Sequence, residues 1–195
     1  MDREQLDQLV AQARGMAYSP TKVALLEEAV QGADALQDLD LAFAVRVHLV
    51  DAGVFSGMAE RALVAFAWCL AQSDRDPERF PQARLLWEYK WIVNKLPDFP
   101  TIPRGKIRAM EEDYHARLKR EGQGLRSLYK LLMDNANSMG YRRAGIEYEK
   151  TWRRARRDDM SDCAACDLDA EVAALNRAGR YREALWKAQI GRAHV

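Results

Sequence analysis

Two stretches forty residues apart carry one pattern. "LLWEYKWIVN" at 85–94 lies on "LRSLYKLLMD" at 125–134, with Leu85 on Leu125, Tyr89 on Tyr129, Lys90 on Lys130, Ile92 on Leu132, Val93 on Met133 and Asn94 on Asp134. A repeat of this length is a supersecondary unit that cannot bury its apolar face alone, so its copies must stack. Within and around the copies the apolar spacing is three and four, the period of an amphipathic helix. Val23, Leu26, Val30 and Ala33 follow it after Ser19 and Pro20, a capping residue and a first-turn proline. Ile107, Met110, Tyr114 and Leu118 repeat it after Thr101 and Pro103, and Leu125, Leu128, Leu132 and Met139 give it again.

One run alternates like a strand: Leu39, Leu41, Phe43, Val45, Val47 and Leu49. Leu41, Val45, Leu49 and Ala52 also share one helical face, and no second segment offers a strand to pair with, so this run is expected to be helical. The segments 73–82, 96–103, 121–124 and 157–167 are poor in helix formers and short enough to join packed helices. The reading is an all-α chain, an α-solenoid of stacked antiparallel helix pairs. About five pairs are expected, the last incomplete, forming one repeat domain over residues 1–189.

The second helices of the pairs share a small residue followed four later by an aromatic: Ala62 with Phe66 and Ala144 with Tyr148, and more loosely Met110 with Tyr114. Small residues let two helices approach, and the ring fills the space beside the contact. With "GRYREAL" at 179–185 and "GYRRAGIEYEKTW" at 140–152, the chain resembles the tetratricopeptide-repeat family over residues 21–189. Met133 stands where the family's first helix has glycine, and Ala188 where its second has an aromatic. With "FAWCLAQSDRDP" and "DMSDCAACD" added, the chain also resembles tetratricopeptide-repeat proteins of actinobacteria, a likeness that brings no activity with it. The closing "IGRAHV" at 190–195 resembles the translation of a sequencing adapter, ATCGGAAGAGCACACGTC. Those six residues are therefore read as a foreign tail on a gene fragment, and Arg192 and His194 as without function. The missing C-terminal part of the same chain is an expected partner.

Composition narrows the function. A chain of 195 residues, 48% hydrophobic and 30% charged, has the balance of a globular protein with a substantial core. Residues 1–60 hold ten acidic and four basic side chains and the remainder 19 and 26. That asymmetry is too mild for nucleic acid to be the expected partner. "MDREQLDQLVAQAR" does not read as a signal peptide and no apolar run reaches membrane-spanning length, so a cytoplasmic protein without a membrane partner is expected. Three cysteines do not make a disulfide framework.

The candidate chemistry is sparse. Cys163 and Cys166 have the spacing of half a zinc site or a redox pair, but only His48, His115 and Cys69 offer further ligands. The two thiols are read as packing at a helix start that Asp162 or Asp167 caps, and neither metal nor cofactor is expected. Glu111, Glu112 and Asp113 read as a solvated surface, and "WRRARRDD" at 152–159 as cations closing a helix. Trp87 and Trp91 make their helix apolar nearly all round, which places it in the middle of a stack; the lesser alternative is an indole anchoring a ligand. No phosphate loop, nucleophile elbow or zinc-protease motif is present, so no enzyme is expected.

What remains is the face lined by the first helices of the pairs. Lys90 and Lys130 are equivalent by the repeat, Arg46 is the next rung, and Asn94, Asp134 and Asn137 lie a turn or two beyond. This solvent-facing ladder is expected to bind a protein or peptide, acidic in character, as some members of the resembling family do. The alternative is the ligand-sensing domain of a larger transcriptional or signalling regulator.

Overall fold

The computed structural model describes residues 1–192, with side chains to residue 189. The expected lack of packing of the tail at 190–195 lies outside the described side chains. Among the described residues there are ten α-helices and no strand, and within each of the two units described below helices that follow one another pack together. The chain falls into two compact units, Met1–Arg156 and Arg157–Val195.

The first unit holds α1 (Arg3–Gly15), α2 (Pro20–Ala35), α3 (Leu39–Phe55), α4 (Ala59–Arg75), α5 (Leu86–Lys95), α6 (Arg104–Arg120), α7 (Arg126–Ser138) and α8 (Arg142–Arg154). Asp2 and Gln5 close a capping box on α1, Ser19 caps α2 ahead of Pro20, and Asp38 caps α3. The strand-like run is thus helix. Its alternation reflects burial all round, because α3 packs against α2, α4 and α5 and buries Ala42, Phe43, Val45, Leu49 and Val50 on different faces.

The two matched stretches begin alike, though Tyr89 is buried where Tyr129 is half-buried, and Ile92 where Leu132 is half-buried. Leu85 and Leu125 are the N-caps of α5 and α7, with backbone angles of −111°/0° and −101°/9°. The turns after α3 and α7 are also alike, whereas α5 leaves through the 3₁₀ turn Leu96–Asp98. The residue just past α3 and its cap is Gly57 at φ 72°, and past α7 it is Gly140 at φ 81°, both in the left-handed region that closes a helix. In each turn the next amide reaches back to the helix, Met58 to the Gly53 carbonyl (2.8 Å) and Tyr141 to the Ala136 carbonyl (2.7 Å).

Five residues beyond those glycines come Ala62 and Gly145, both buried against the preceding helix. This register corrects the sequence alignment by one position. In α8 the small residue at the crossing is Gly145, while Ala144 and Tyr148 are half-buried. At the α3–α4 crossing the backbones approach so closely that a Cβ on Gly53 would lie 2.9 Å from the Ala62 Cβ.

The core is knit by rings. Phe43 stacks on Phe80 (centroids 4.6 Å apart), whose burial ties down the loop after α4; Phe66 meets Tyr89 edge-on (5.1 Å), and Tyr89 stacks on Tyr114 (5.3 Å). Beside Tyr89 lies an ionic node in which a buried arginine meets two partly exposed carboxylates. Arg117 of α6 donates two hydrogen bonds to Asp74 of α4 (2.7 and 3.0 Å) and a third to Asp113 (2.7 Å). Asp113 also accepts from the Tyr89 hydroxyl at 2.6 Å. Burial alone would lower the Arg117 pKa, but the bonds to Asp74 and Asp113 outweigh it and hold the guanidinium charged. Asp113 is likewise partly buried, yet Tyr89 and Arg117 keep it below its usual range. The acidic run is therefore not a plain solvated surface. Asp113 is structural, and Glu111 accepts a bond from Asn135 of α7 (2.7 Å).

The second unit contains α9 (Ala164–Arg177) and α10 (Tyr181–Arg192), joined by a turn in which Gly179 (φ 74°) repeats the same device. Ala184 is buried, whereas Tyr181, Leu185 and Trp186 are exposed.

Gly53→Ala should destabilise the protein by about 1–2 kcal/mol despite the better helix propensity of alanine, since the clash is with backbone and a Cβ that cannot swing away. Gly105→Ala, where a Cβ meets open space, should be neutral or slightly stabilising. Denaturant unfolding followed by circular dichroism checks both.

Candidate functional site

Tyr89 points into the core, so the residues two before and two after it on α5 face the other way. These are Trp87 and Trp91. Both are half-buried, not enclosed in a stack, because the helix is apolar all round for two separate reasons: one face packs and the other carries exposed rings. Trp91 meets Phe55 at the end of α3 edge-on (5.0 Å, 73°), and Phe55 meets Tyr18 in the α1–α2 connection (5.0 Å). Trp87 lies 5.9 Å from Trp91. Tyr18 is 52% exposed and Phe55 49%, large values for rings that touch other rings. Each end of this four-ring strip carries a cation, Lys22 4.9 Å from the Tyr18 centroid and Lys90 4.8 Å from that of Trp87.

Two acids lie one turn behind the central rings, Asp51 before Phe55 and Glu88 before Trp91. Glu88 is 8% exposed, and its Oε2 and the Asp51 Oδ1 are buried without a hydrogen-bond partner. Burial pushes Asp51 up to about 6, with Lys22 opposing. Burial, with the charge of Asp51 adding to it and Arg84 opposing, pushes Glu88 up to about 7. Burial and the nearby Arg14 and Lys22 push His48 down, favouring its neutral form. Arg14, Tyr18, Lys22, Leu26, His48 and Asp51 line a small cleft of ≈ 120 Å³ beside the strip. Near neutral pH Glu88 is therefore partly protonated, while Asp51 keeps most of its charge beside Lys22.

The predicted ladder is brought together only in part. Arg46 is not a rung: it is buried, pairs in bidentate fashion with Asp34 (2.9 and 2.7 Å) and stacks on Trp68 at 4.0 Å. No matched repeat reaches it, and α3 is 17 residues long where α5 has ten. Lys90 is 6% exposed, a buried lysine and not a solvent-facing one. Lys130 is half-buried and paired with Asp134 at 2.7 Å. Asn94 is half-buried on α5, and the Asn137 side chain packs over Gly145.

A second hollow, of ≈ 530 Å³, lies between α6, α7 and α8, lined by Arg104, Arg108, Glu111, Leu132, Tyr141 and Tyr148 among others. Arg104 donates to the Tyr141 hydroxyl at 2.7 Å. Among the described residues no group of three or more His, Cys, Asp or Glu is placed to hold a metal ion, and no helix is long and apolar enough to cross a membrane.

Sequence reasoning missed the strip as a unit. The i, i+4 tryptophans were its visible half; Tyr18 and Phe55 sit at element ends, where periodicity gives no signal.

The raised pKa of Glu88 has a consequence for stability. The folded form keeps its proton to higher pH than the unfolded chain, so the contribution is least unfavourable below about pH 4 and stability falls as pH rises to about 7. Glu88→Gln should remove that slope and gain at most about 3 kcal/mol relative to the parent at pH 8. Unfolding curves for both proteins between pH 5 and 8 test it; parallel pH profiles would contradict it.

Comparison of the chain with family models, with curated proteins and with solved structures finds no match.

Proposed function

We propose that the helix pairs build a solenoid of the tetratricopeptide type, and that the chain is a non-enzymatic scaffold binding an acidic peptide segment of a protein partner. The segment lies across the face made by α3, α5 and α7. Support for the row comes from packing, since α3 contacts α5 and α5 contacts α7.

One observation carries the reading: four partly exposed rings, Tyr18, Phe55, Trp91 and Trp87, run in contact between two lysines. Exposed aromatic rings held by their neighbours lose little entropy on binding, which is why Trp and Tyr dominate interface hot spots. Lys22, half-buried at the Tyr18 end of the strip, favours an acidic occupant, and Glu88, raised to about 7, repels it less than an ordinary carboxylate would. Lys130 and Asn94 lie further along the same row of helices, whereas Arg46 is excluded by its pairing with Asp34.

The hollow between α6, α7 and α8 favours a second reading, a helical domain sensing a small ligand for a larger regulator. Its ≈ 530 Å³ lies within the usual size of small-molecule sites, roughly 300–1,000 Å³.

Peptides selected from a random phage library on the immobilised protein should be rich in Asp and Glu around an aromatic or aliphatic anchor. Phe55→Ala and Trp91→Ala should each weaken a selected peptide by about thirtyfold, the scale of a hot-spot residue. Val64→Ala, exposed on α4, should leave affinity unchanged. Selected peptides that bind all four proteins equally would move the site elsewhere, and loss of binding on Tyr148→Ala would move it to the hollow.

A further inference from the structure

Cys163 and Cys166 belong to the second unit and take no part in the aromatic face. The expectation that they pack at a helix start, with Asp162 or Asp167 as the cap, does not hold. Both side chains are exposed, and Cys163 is itself the N-cap of α9, its sulfur accepting the Cys166 backbone N–H at 3.3 Å. Asp167 is instead buried and paired with Arg157, which also donates to the Asp162 carbonyl and so anchors the residues leading into the cap. The two sulfurs sit 3.1 Å apart, one turn of helix from each other, a separation that a small rotation about the side-chain bonds closes to a covalent bond.

We propose that Cys163 and Cys166 form a thiol–disulfide exchange site, in which Cys163 attacks a low-molecular-weight disulfide and Cys166 resolves the mixed disulfide. With glutathione disulfide as co-substrate, the Cys163 thiolate attacks one glutathione sulfur. A bond forms between them, the glutathione disulfide bond breaks, and the leaving thiolate takes a proton from water. Cys166 then loses its proton to solvent and attacks the Cys163 sulfur, expelling the second glutathione as a thiol. Two protein thiols are oxidised to one disulfide, and one glutathione disulfide is reduced to two thiols.

The order of attack follows from the geometry. The Cys163 sulfur accepts the Cys166 backbone N–H at the start of α9, which favours its thiolate, and its interactions with the Cys166 side chain and backbone hold its pKa below the usual thiol range. Cys69 is excluded as the attacker, being fully buried in the first unit with its thiol pushed up to about 12 by burial. A structural zinc site is a poor alternative, since two thiolates fill half of a tetrahedral shell and no third ligand is grouped with them among the described residues.

The test uses the reduced full chain and its Cys163→Ser and Cys166→Ser variants in glutathione disulfide at neutral pH, quenched with acid, alkylated and read by intact mass and peptide mapping. The parent should lose two alkylatable thiols together and keep no glutathione. Cys166→Ser should accumulate glutathione on Cys163, and Cys163→Ser should take it up on Cys166 about tenfold more slowly. Serine is a good N-cap, so Cys163→Ser should keep its helical signal in circular dichroism. A parent that holds glutathione on one cysteine without closing the ring would overturn the proposal. So would equal rates in the two variants, or one zinc per chain that shields both thiols.

Discussion

The guanidinium of Arg117 binds three helices at one point, with Asp74 on α4, Asp113 on its own helix, and through Asp113 the hydroxyl of Tyr89 on α5. Helix α5 needs this hold. It has ten residues, is entered through a 3₁₀ turn at Gln82–Leu85 and left through another at Leu96–Asp98, and none of its caps is a side-chain hydrogen bond. A helix so short is not stable on its own account and takes its rotation from its packing. Tyr89, clamped between Phe66 and Tyr114 and tied to Asp113, sets that rotation. Gln82 extends the node by donating to Asp74 and accepting from Arg120, so the entry to α5 is fixed by the same group of side chains.

Once Tyr89 is inward, Trp87 and Trp91 must face out, and the strip with Phe55 and Tyr18 follows. The acids behind it show what this placement costs. Asp51 and Glu88 each keep one buried oxygen without a hydrogen-bond partner, and burial raises their pKa values against the opposing charges of Lys22 and Arg84. The hydrogen bonds of the node, by contrast, are made within the fold, which marks it as structural.

The helices were legible because their signals are local. Ser19–Pro20 and the three-and-four spacing of Val23, Leu26 and Ala33 gave α2, and the match of Leu85 with Leu125 gave the start of two helices in one register. The run at 39–49 was legible only through the lack of a pairing strand. Side-chain partnerships at long range were not legible. Arg46 with Asp34 and Trp68, or Arg117 with Asp74, join residues whose separation carries no period, and a basic residue on a helix reads as solvated until its partner is placed. The half of the node that is local, Asp113 with Arg117 at i, i+4, was open to inspection. Lys90 shows the same limit, since the repeat fixed its helix and its register but not its burial. Gly145 was displaced by one position because the Ala-then-aromatic pattern was followed where the turn glycine is the better anchor.

The dependence of α5 on the ionic node is measured most directly by a double-mutant cycle between Arg117→Met and Asp74→Asn, with unfolding followed by tryptophan fluorescence, to which Trp87 and Trp91 contribute. Groups that act as one unit couple, so the two substitutions together should cost less than their sum by about 1–2 kcal/mol, with the tryptophan emission shifted to the red already in the folded baseline of Arg117→Met. Additive losses with an unshifted folded spectrum would show that α5 holds its place without Arg117.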